Sequence, residues 1–570
     1  MNSAWFSRLA RRSYFWREGR PVLRSSIDRV NELKARSRRW LLAALLFVLL
    51  RALPSLSYPI GRDQATYGVI GQGLLHGQQL YRDLWDNKPP GIFALYALLV
   101  KVSGHVMWSV GLVDVVWLLI ISYCVFRFTE RYLGTAAAVI AVVVNAAWHA
   151  NLGYVDAGQP ECFLMVAVFL AFFIASSRKS WPMTRHFVAG LLMGAAFWLK
   201  YNALAFFPLV AVIPYVDWAR LDSSRKQIRF LIPWRLWCQR AGALLAGFLA
   251  TVVAVLAYFR WAGSWAALKE VEFQVLPRYA AIAVERIPHY WALPIGTTLV
   301  RLGLWTVLAV GASVLVAERR GFSRLLPILA AAAMGYAATA AQLRFPPYAF
   351  ETSFPFFAMV WGYLATSVYA GLRAAARAPA RRSRLWARVA AVGLVAILLW
   401  YPLRGDAKIV AQRYRDLAAW WRNPKGFYAN YAGVQFAIEH FPGQFQVIEE
   451  LRKSLEPGEE VFVWGTDPLI YYLTDRQPPT RFVSNLALIS PWGPPAWRHE
   501  LVRDLRRSLP AFIVVAQNDQ VPEIAFTPLD SEQYLSVYTD LSDFISASYH
   551  RVGEFPDFLL YRLKTKPMVP

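Results

Sequence analysis

Apolar runs of membrane-spanning length recur along most of the chain, separated by short polar or basic segments. A helix needs about 20 mostly apolar residues to cross the hydrocarbon core. The pattern predicts spans near 40–57, 106–126, 133–149, 162–176, 187–200, 203–218, 241–261, 294–317, 325–342, 352–372 and 389–403. The stretch 91–104, GIFALYALLVKVSG, is too short to span and reads as an interfacial or re-entrant helix. After Tyr401 the pattern changes. Residues 404–445 are polar and aromatic, with an amphipathic helix expected around RYRDLAAWW. From about 446, helix and strand patterns alternate. VIEELRKSL reads as a helix, EVFVWG as a strand, and a helix starts at Asp467-Pro468. A strand near 481–484, a helix over 496–508, a strand over 511–516 and terminal strands near 550–562 follow. Such alternation predicts a small α/β domain over about 446–565.

The expected fold class is therefore a polytopic α-helical membrane protein of about 11 transmembrane helices with a small C-terminal α/β domain. Its parts are a basic N-terminus (1–39), a transmembrane region (40–403) and a C-terminal region (404–570). Of 570 residues, 56% are hydrophobic and 17% charged, below the ~25% usual for soluble proteins.

The net charge of +24 invites a nucleic-acid partner, but its distribution argues otherwise. Arginines cluster in residues 1–39, near 127, 178 and 320, over 220–240 and over 373–388. Alternate loops are poorer in Lys and Arg, which is the positive-inside pattern with added attraction to anionic lipid. Nucleic acid is accordingly not expected as a partner. This places the N-terminus in the cytoplasm and loops 58–105, 150–161, 262–293 and 343–351 outside, together with everything after 404. The expected location is a bacterial-type inner membrane, and the late first apolar run, at Trp40, argues against a cleavable signal. Cys124, Cys162 and Cys238 are scattered, with neither metal nor disulfide spacing. His289 and the other histidines form no ligand cluster in the sequence, so no cofactor is expected and a divalent metal is not indicated.

The charged loop GRDQATYGVIGQGLLHGQQLYRDLWDNKPPG, residues 61–91, carries the chemistry. Ile70, Leu74 and Leu75 fall at helical spacing, so Asp63 reads either as an N-cap or as a functional acid, with Gly77 as the stop signal. Pro89-Pro90 fixes the backbone just after Lys88. A rigid turn presenting lysine at headgroup level suits phosphate binding, with help from Arg82; the bland reading is a snorkelling lysine.

An acid at the outer end of the first span, a short helix, Tyr81-Arg82-Asp83 and then Lys88-Pro89-Pro90-Gly91 resemble the GT-C glycosyltransferases. The resemblance is narrower to the branch of protein O-mannosyltransferases and lipid A aminoarabinose and galacturonic acid transferases. It extends to the C-terminal region through VFVWGTDPLIYYLTDRQPPTRF. It implies a GT-C fold, a polyprenyl-phosphate sugar donor, inversion at the sugar, and an extracytoplasmic site. It also implies Asp63 as the catalytic acid of the first outer loop and Lys88 on the carrier phosphate. Many members have Asp-Glu where this chain has Asp63-Gln64, which leaves no second carboxylate there.

In the second outer loop, NLGYVDAGQPECF, either Glu161 or Asp156 matches the second acid of these relatives. The bland readings are a turn for Asp156 and a first-turn helix acid for Glu161. Lys200, Arg278 and Arg344 are further candidates for the donor phosphate, and Tyr67, Asp86, Tyr279 and Tyr348 for substrate contacts. The expected partners are a polyprenyl-phosphate sugar, membrane lipids, and an envelope glycan, lipid or protein as acceptor. The alternatives are a transporter or flippase for a lipid-linked glycan, and a non-catalytic assembly scaffold. Transporters concentrate charge at mid-membrane on broken helices, often in repeated halves. Here the carboxylates gather in outward loops, and no repeat is visible.

Overall fold

The structure is a computed structural model that describes residues 19–222, 229–288, 290–375, 406–431 and 439–564, with isolated helical residues between 393 and 403. The predicted span 389–403, most of the basic 373–388 connector, His289 and the first 18 residues lie outside the described residues.

The apolar part is a helix assembly. Its main members are α1 (Gly19–Ala52), α2 (Arg62–Leu75), α3 (Pro90–Ser103), α4 (Ser109–Leu133), α5 (Thr135–His149) and α6 (Pro160–Ser176). They continue with α7 (Pro182–Leu199), α8 (Trp234–Trp261), α9 (Leu326–Ala340) and α10 (Phe354–Ala375). Proline in the first turn opens α3, α6, α7 and α9, where its missing N–H costs nothing. Gly134, at φ 92°, closes α4 and opens α5. Helices α7 and α8 approach through glycine. A Cβ on Gly190 would sit 2.0 Å from the Leu244 carbonyl oxygen, and one on Gly247 2.0 Å from that of Phe187. Small residues allow this backbone contact between membrane helices.

Three segments are long and apolar enough to cross a membrane among the described residues: Asn31–Ser57, Ser109–Leu133 and Trp234–Trp261. Helix α8 exposes Leu245, Leu249, Val253 and Trp261 along one side, a stripe suited to lipid. Two predicted spans are not single helices. Segment 203–218 breaks into Tyr201–Phe206, Phe207–Ala211 and Ile213–Tyr215, because Pro208 and Pro214 cannot donate to the helix ladder. Segment 294–317 divides into Leu293–Arg301 and Leu304–Arg320, bent by 86° where Gly303 adopts φ 78°.

The C-terminal region forms a four-stranded sheet of order β1-β2-β4-β3, from β1 (Val461–Trp464), β2 (Phe512–Ala516), β3 (Tyr549–Phe555) and β4 (Phe558–Leu563). β1 and β2 pair in parallel, with Val461 opposite Phe512, and the other pairings are antiparallel. Every residue of β1 and β2 is buried, as expected of parallel strands covered on both faces. The expected strand near 481–484 is absent. Phe482 makes only an isolated bridge to Trp85, because Pro478-Pro479 precede it and its neighbour is the opening loop rather than a strand. That bridge is part of a larger contact: the Trp85 N–H donates to the Arg481 carbonyl at 2.6 Å, and the Trp85 ring meets that of Trp497 at 4.8 Å. One hydrophobic core runs from Ile70 and Tyr81 through Trp85 to Trp464 and Val514.

Gly190→Val is expected to lower the thermal unfolding midpoint of the detergent-solubilised protein, since overpacking of this kind costs about 1–3 kcal/mol. An unchanged midpoint would mean that α7 and α8 do not meet at this glycine.

Candidate active site

Helix α2 sets the first acid. Its N-cap is Gly61, so Asp63 is not the cap; it lies in the first helical turn, where the helix dipole favours its charge. The Arg62 N–H is satisfied from far along the chain, by Glu439 Oε1 at 2.9 Å. The other Glu439 oxygen accepts the Tyr154 hydroxyl at 2.5 Å. Asp63 Oδ2 accepts from Gln159 Nε2 at 3.3 Å, and the Tyr67 hydroxyl, 3.5 Å away, donates to Gln159 Oε1 at 3.1 Å. Gln64 is buried, and its amide faces the carbonyls of Tyr154, Val155 and Ala157 at 3.0, 3.1 and 2.7 Å. A carboxylate cannot donate, so a Glu here would set charge against three carbonyl oxygens. The departure at position 64 thus has a local reason: this amide holds the second outer loop onto α2.

The turn before α3 sets the lysine. The Lys88 N–H donates to Asp86 Oδ1 at 2.9 Å, and its carbonyl accepts the Tyr81 hydroxyl at 2.7 Å. Pro89 and Pro90 then start α3. Lys88 Nζ lies 5.8 Å above the Tyr67 ring and 3.4 Å from Asn87 Oδ1. Burial works to lower its pKa, but the charges of Asp63 and Asp86 prevail, with smaller support from Tyr279 and Glu161, and hold it well above the ordinary lysine range. Burial pushes the Asp86 carboxyl up, against the opposing pull of Lys88.

Glu161, in the first turn of α6, is fully buried and ion-paired to Lys200. Lys200 Nζ also lies 5.4 Å above the Tyr348 ring. Tyr348 is in turn within electrostatic reach of Asp63, Glu161 and Tyr279. The fold therefore brings together Asp63, Tyr67, Asp86, Lys88, Glu161, Lys200 and Tyr348, with Tyr279 alongside. Four other sequence candidates are engaged or placed differently. Asp156 Oδ2 accepts the Gly153 N–H at 2.9 Å and closes the local turn. Arg82 pairs with Asp83 at 2.8 Å and lines a cleft with Glu270 and Arg481. Arg344 stacks on Tyr279 at 4.2 Å and donates to the Glu523 carbonyl at 3.0 Å. Arg278 is exposed on the Leu276–Arg286 helix. Gln159, Tyr154 and Glu439 were not legible as parts of the site. Gln159 stands just before Pro160-Glu161, a faint signal, whereas Glu439 is 377 residues from its partner. Among the described residues, no group of three or more His, Cys, Asp or Glu could hold a metal.

Residues 87–238 match the family described as dolichyl-phosphate-mannose-protein mannosyltransferase. The match begins at Asn87, takes in Lys88-Pro89-Pro90-Gly91 and runs past Asp156, Glu161 and Lys200. Most of the chain is similar in fold to the crystal structure of ArnT from Cupriavidus metallidurans bound to undecaprenyl phosphate. That similarity has a TM-score of 0.51 and 13% identity, and it covers 91% of this chain and 97% of that one. The archaeal oligosaccharyltransferase AglB from Archaeoglobus fulgidus, in complex with an inhibitory peptide and a dolichol-phosphate, matches at TM-score 0.44 and 13% identity. There the coverage is 84% of this chain and 69% of the other. No curated protein matches the chain. The family match over residues 87–238 and the similarity in fold bear out the resemblance to GT-C glycosyltransferases, with a helical body and a small C-terminal sheet.

Gln64→Glu is expected to destabilise the protein by about 1–3 kcal/mol, the cost of a buried polar group set against the wrong partners. An unchanged unfolding midpoint would contradict the contact with the 154–157 carbonyls. Burial pushes the Asp156 carboxyl up to about 6, against the lowering effects of the Gly153 bond and Arg301. Its folded pKa exceeds its unfolded value near ~4, so its contribution is present below that pH and is lost as pH rises through about 6. Asp156→Asn is expected to flatten the unfolding midpoint over that window; an unaltered slope would show that Asp156 is not the titrating group.

Proposed function

We propose that this chain is an inverting glycosyltransferase that moves a sugar from a polyprenyl-phosphate donor to an extracytoplasmic acceptor. The acceptor is a lipid A, a polysaccharide, another glycan or a protein. One observation carries the reading: Asp63 and Lys88 belong to one half-buried polar cluster, with the Tyr67 ring beside the ammonium and its hydroxyl beside the carboxylate. A base and a fixed cation are what an inverting displacement of a phosphate requires.

In this mechanism the acceptor X–H approaches the anomeric carbon on the face opposite the phosphate. The X–C bond forms as the C–O bond to phosphate breaks, and the proton of X passes to Asp63. Polyprenyl phosphate departs with the bonding pair, its negative charge met by Lys88. A phosphate is already a good leaving group, so no strong general acid is needed. Lys200 adds a second cation beside Tyr348, with Glu161 holding its ammonium in place. Glu161, rather than Asp156, is then the second acid of the site, because Asp156 is committed to its turn. Tyr67 and Asp86 shape the wall around the lysine, and Tyr279 and Tyr348 face the substrate. The apolar outer residues Leu98 and Val102 of α3 line the path of the prenyl chain. The site region 58–105 belongs to the transmembrane domain of residues 40–403, and the 404–570 region covers it from outside with the N-terminus in the cytoplasm.

With purified protein and a polyprenyl-phosphate sugar, Asp63→Asn is expected to cut turnover by about 10²–10⁴-fold, the usual contribution of a general base. Its thermal stability and its binding of undecaprenyl phosphate should persist; retained turnover would remove Asp63 from the chemistry. Lys88→Met is expected to lower kcat by about 10²–10³-fold and to weaken undecaprenyl phosphate binding, as loss of a fixed charge at a leaving group does. Unchanged lipid binding would dissociate Lys88 from the phosphate.

A further inference from the structure

The mechanism leaves unused a buried ionic cluster next to the site. His149, the last residue of α5, has Nε2 3.0 Å from Asp114 Oδ1 on α4 and Nδ1 3.0 Å from Glu351 Oε1. The Cys162 thiol donates to Glu351 Oε2 at 2.6 Å. Asp114, His149, Cys162 and Glu351 are all buried, and the Trp117 ring packs on the imidazole at 5.1 Å. The members of this cluster adjoin the site through the chain. Cys162 follows Glu161 in the first turn of α6, and Glu351 shares the short Pro347–Thr352 helix with Tyr348.

Donor counting leaves two ways to satisfy both contacts: a doubly protonated ring between two carboxylates, or a neutral ring with the proton on one carboxyl. A neutral imidazole offers one N–H and one lone pair, whereas both ring nitrogens here face carboxylate oxygens at bonding distance. Two N–H donors satisfy both contacts. Other charges nearby are Arg413, from the Asp406–Arg422 helix, which acts on Asp114, and Asp156 of the second outer loop, which interacts with His149. The Ser55 side chain also bonds Asp114, and Glu161, paired to Lys200, acts electrostatically on Cys162.

We propose that His149 is a positioning residue: an imidazolium clamped between Asp114 and Glu351 that fixes the Tyr348 segment and the Glu161 helix start against α4. The consequence for turnover rests on the transferase reading, whereas the clamp itself does not. A catalytic group displaced by about 1 Å through a remote change can cost 10²-fold in rate.

The test has two arms. In the first, the full chain is labelled with ¹⁵N at its eight histidines and studied in detergent at alkaline pH. One histidine with both ring nitrogens protonated should persist, and His149→Gln should remove it; if His149→Gln removes only a neutral-ring signal, the clamp is overturned. In the second, His149→Gln and Glu351→Gln should each lower kcat by about 10²-fold, with little change in KM for the lipid-linked sugar or in undecaprenyl phosphate binding. Unchanged kcat in both variants would overturn the positioning role. If His149→Gln does not fold, Glu351→Gln carries both arms, because it keeps the shape and shifts the same histidine signal. Absence of any transfer by the wild-type protein counts against the transferase reading, and the histidine spectrum then decides the clamp alone.

Discussion

A lysine at the edge of an apolar helix assembly keeps its charge only if carboxylates stand close by. Lys88 meets that condition through Asp63 on α2 and Asp86 two residues earlier in its own turn. Lys200 is ion-paired to Glu161 on α6. These pairings join the first outer loop, the second outer loop and the hinge after α7 into one polar cluster. The surroundings can be as apolar as a membrane requires because the charges are matched among themselves. Under the proposed function, a lipid-linked phosphate reaching this cluster would meet ammonium groups already drawn out of water, where electrostatic stabilisation is strong and needs little reorganisation.

The cluster depends on the C-terminal region for its placement. Glu439 takes up the first amide of α2 and the hydroxyl of Tyr154, so a residue beyond the helix assembly holds the helix that bears Asp63. Trp85, in the loop between Asp63 and Lys88, is seated on Trp497 and bonded to the Arg481 backbone. Tyr472 packs so closely on Gly68 that a Cβ there would lie 2.6 Å from its ring. The C-terminal region is thus a support for the opening loop, through its helices and loops rather than its strands, and the shared core across them explains why the loop needs so little regular structure of its own.

Much of this was legible in the sequence, for identifiable reasons. Long apolar runs, proline at helix starts and glycine at helix ends mark local events, and α4, α8, β1 and β2 stand close to where their patterns place them. The motif Lys88-Pro89-Pro90-Gly91 was legible because proline fixes the backbone whatever surrounds it. The failures are long-range. The first amide of α2 is taken up by Glu439, 377 residues away, so no local pattern could reveal that Asp63 is free of that duty. The strand expected near 482 became a single bridge because its partner is Trp85, and the runs at 203–218 and 294–317 hid breaks that composition alone does not locate. Gln64, which looked like a defect in the relatives' pattern, has its explanation in three carbonyls about 90 residues away.

The central claim is that this polar cluster serves the transfer of a lipid-linked sugar. Its most direct test is mass spectrometry of the polyprenyl phosphates in membranes of cells that lack the protein, alongside their envelope glycans. The account predicts that one polyprenyl-phosphate sugar accumulates while the same sugar disappears from an envelope product, and that both changes are reversed by the wild-type chain. An unchanged pool of lipid-linked sugars together with intact envelope glycans would contradict it.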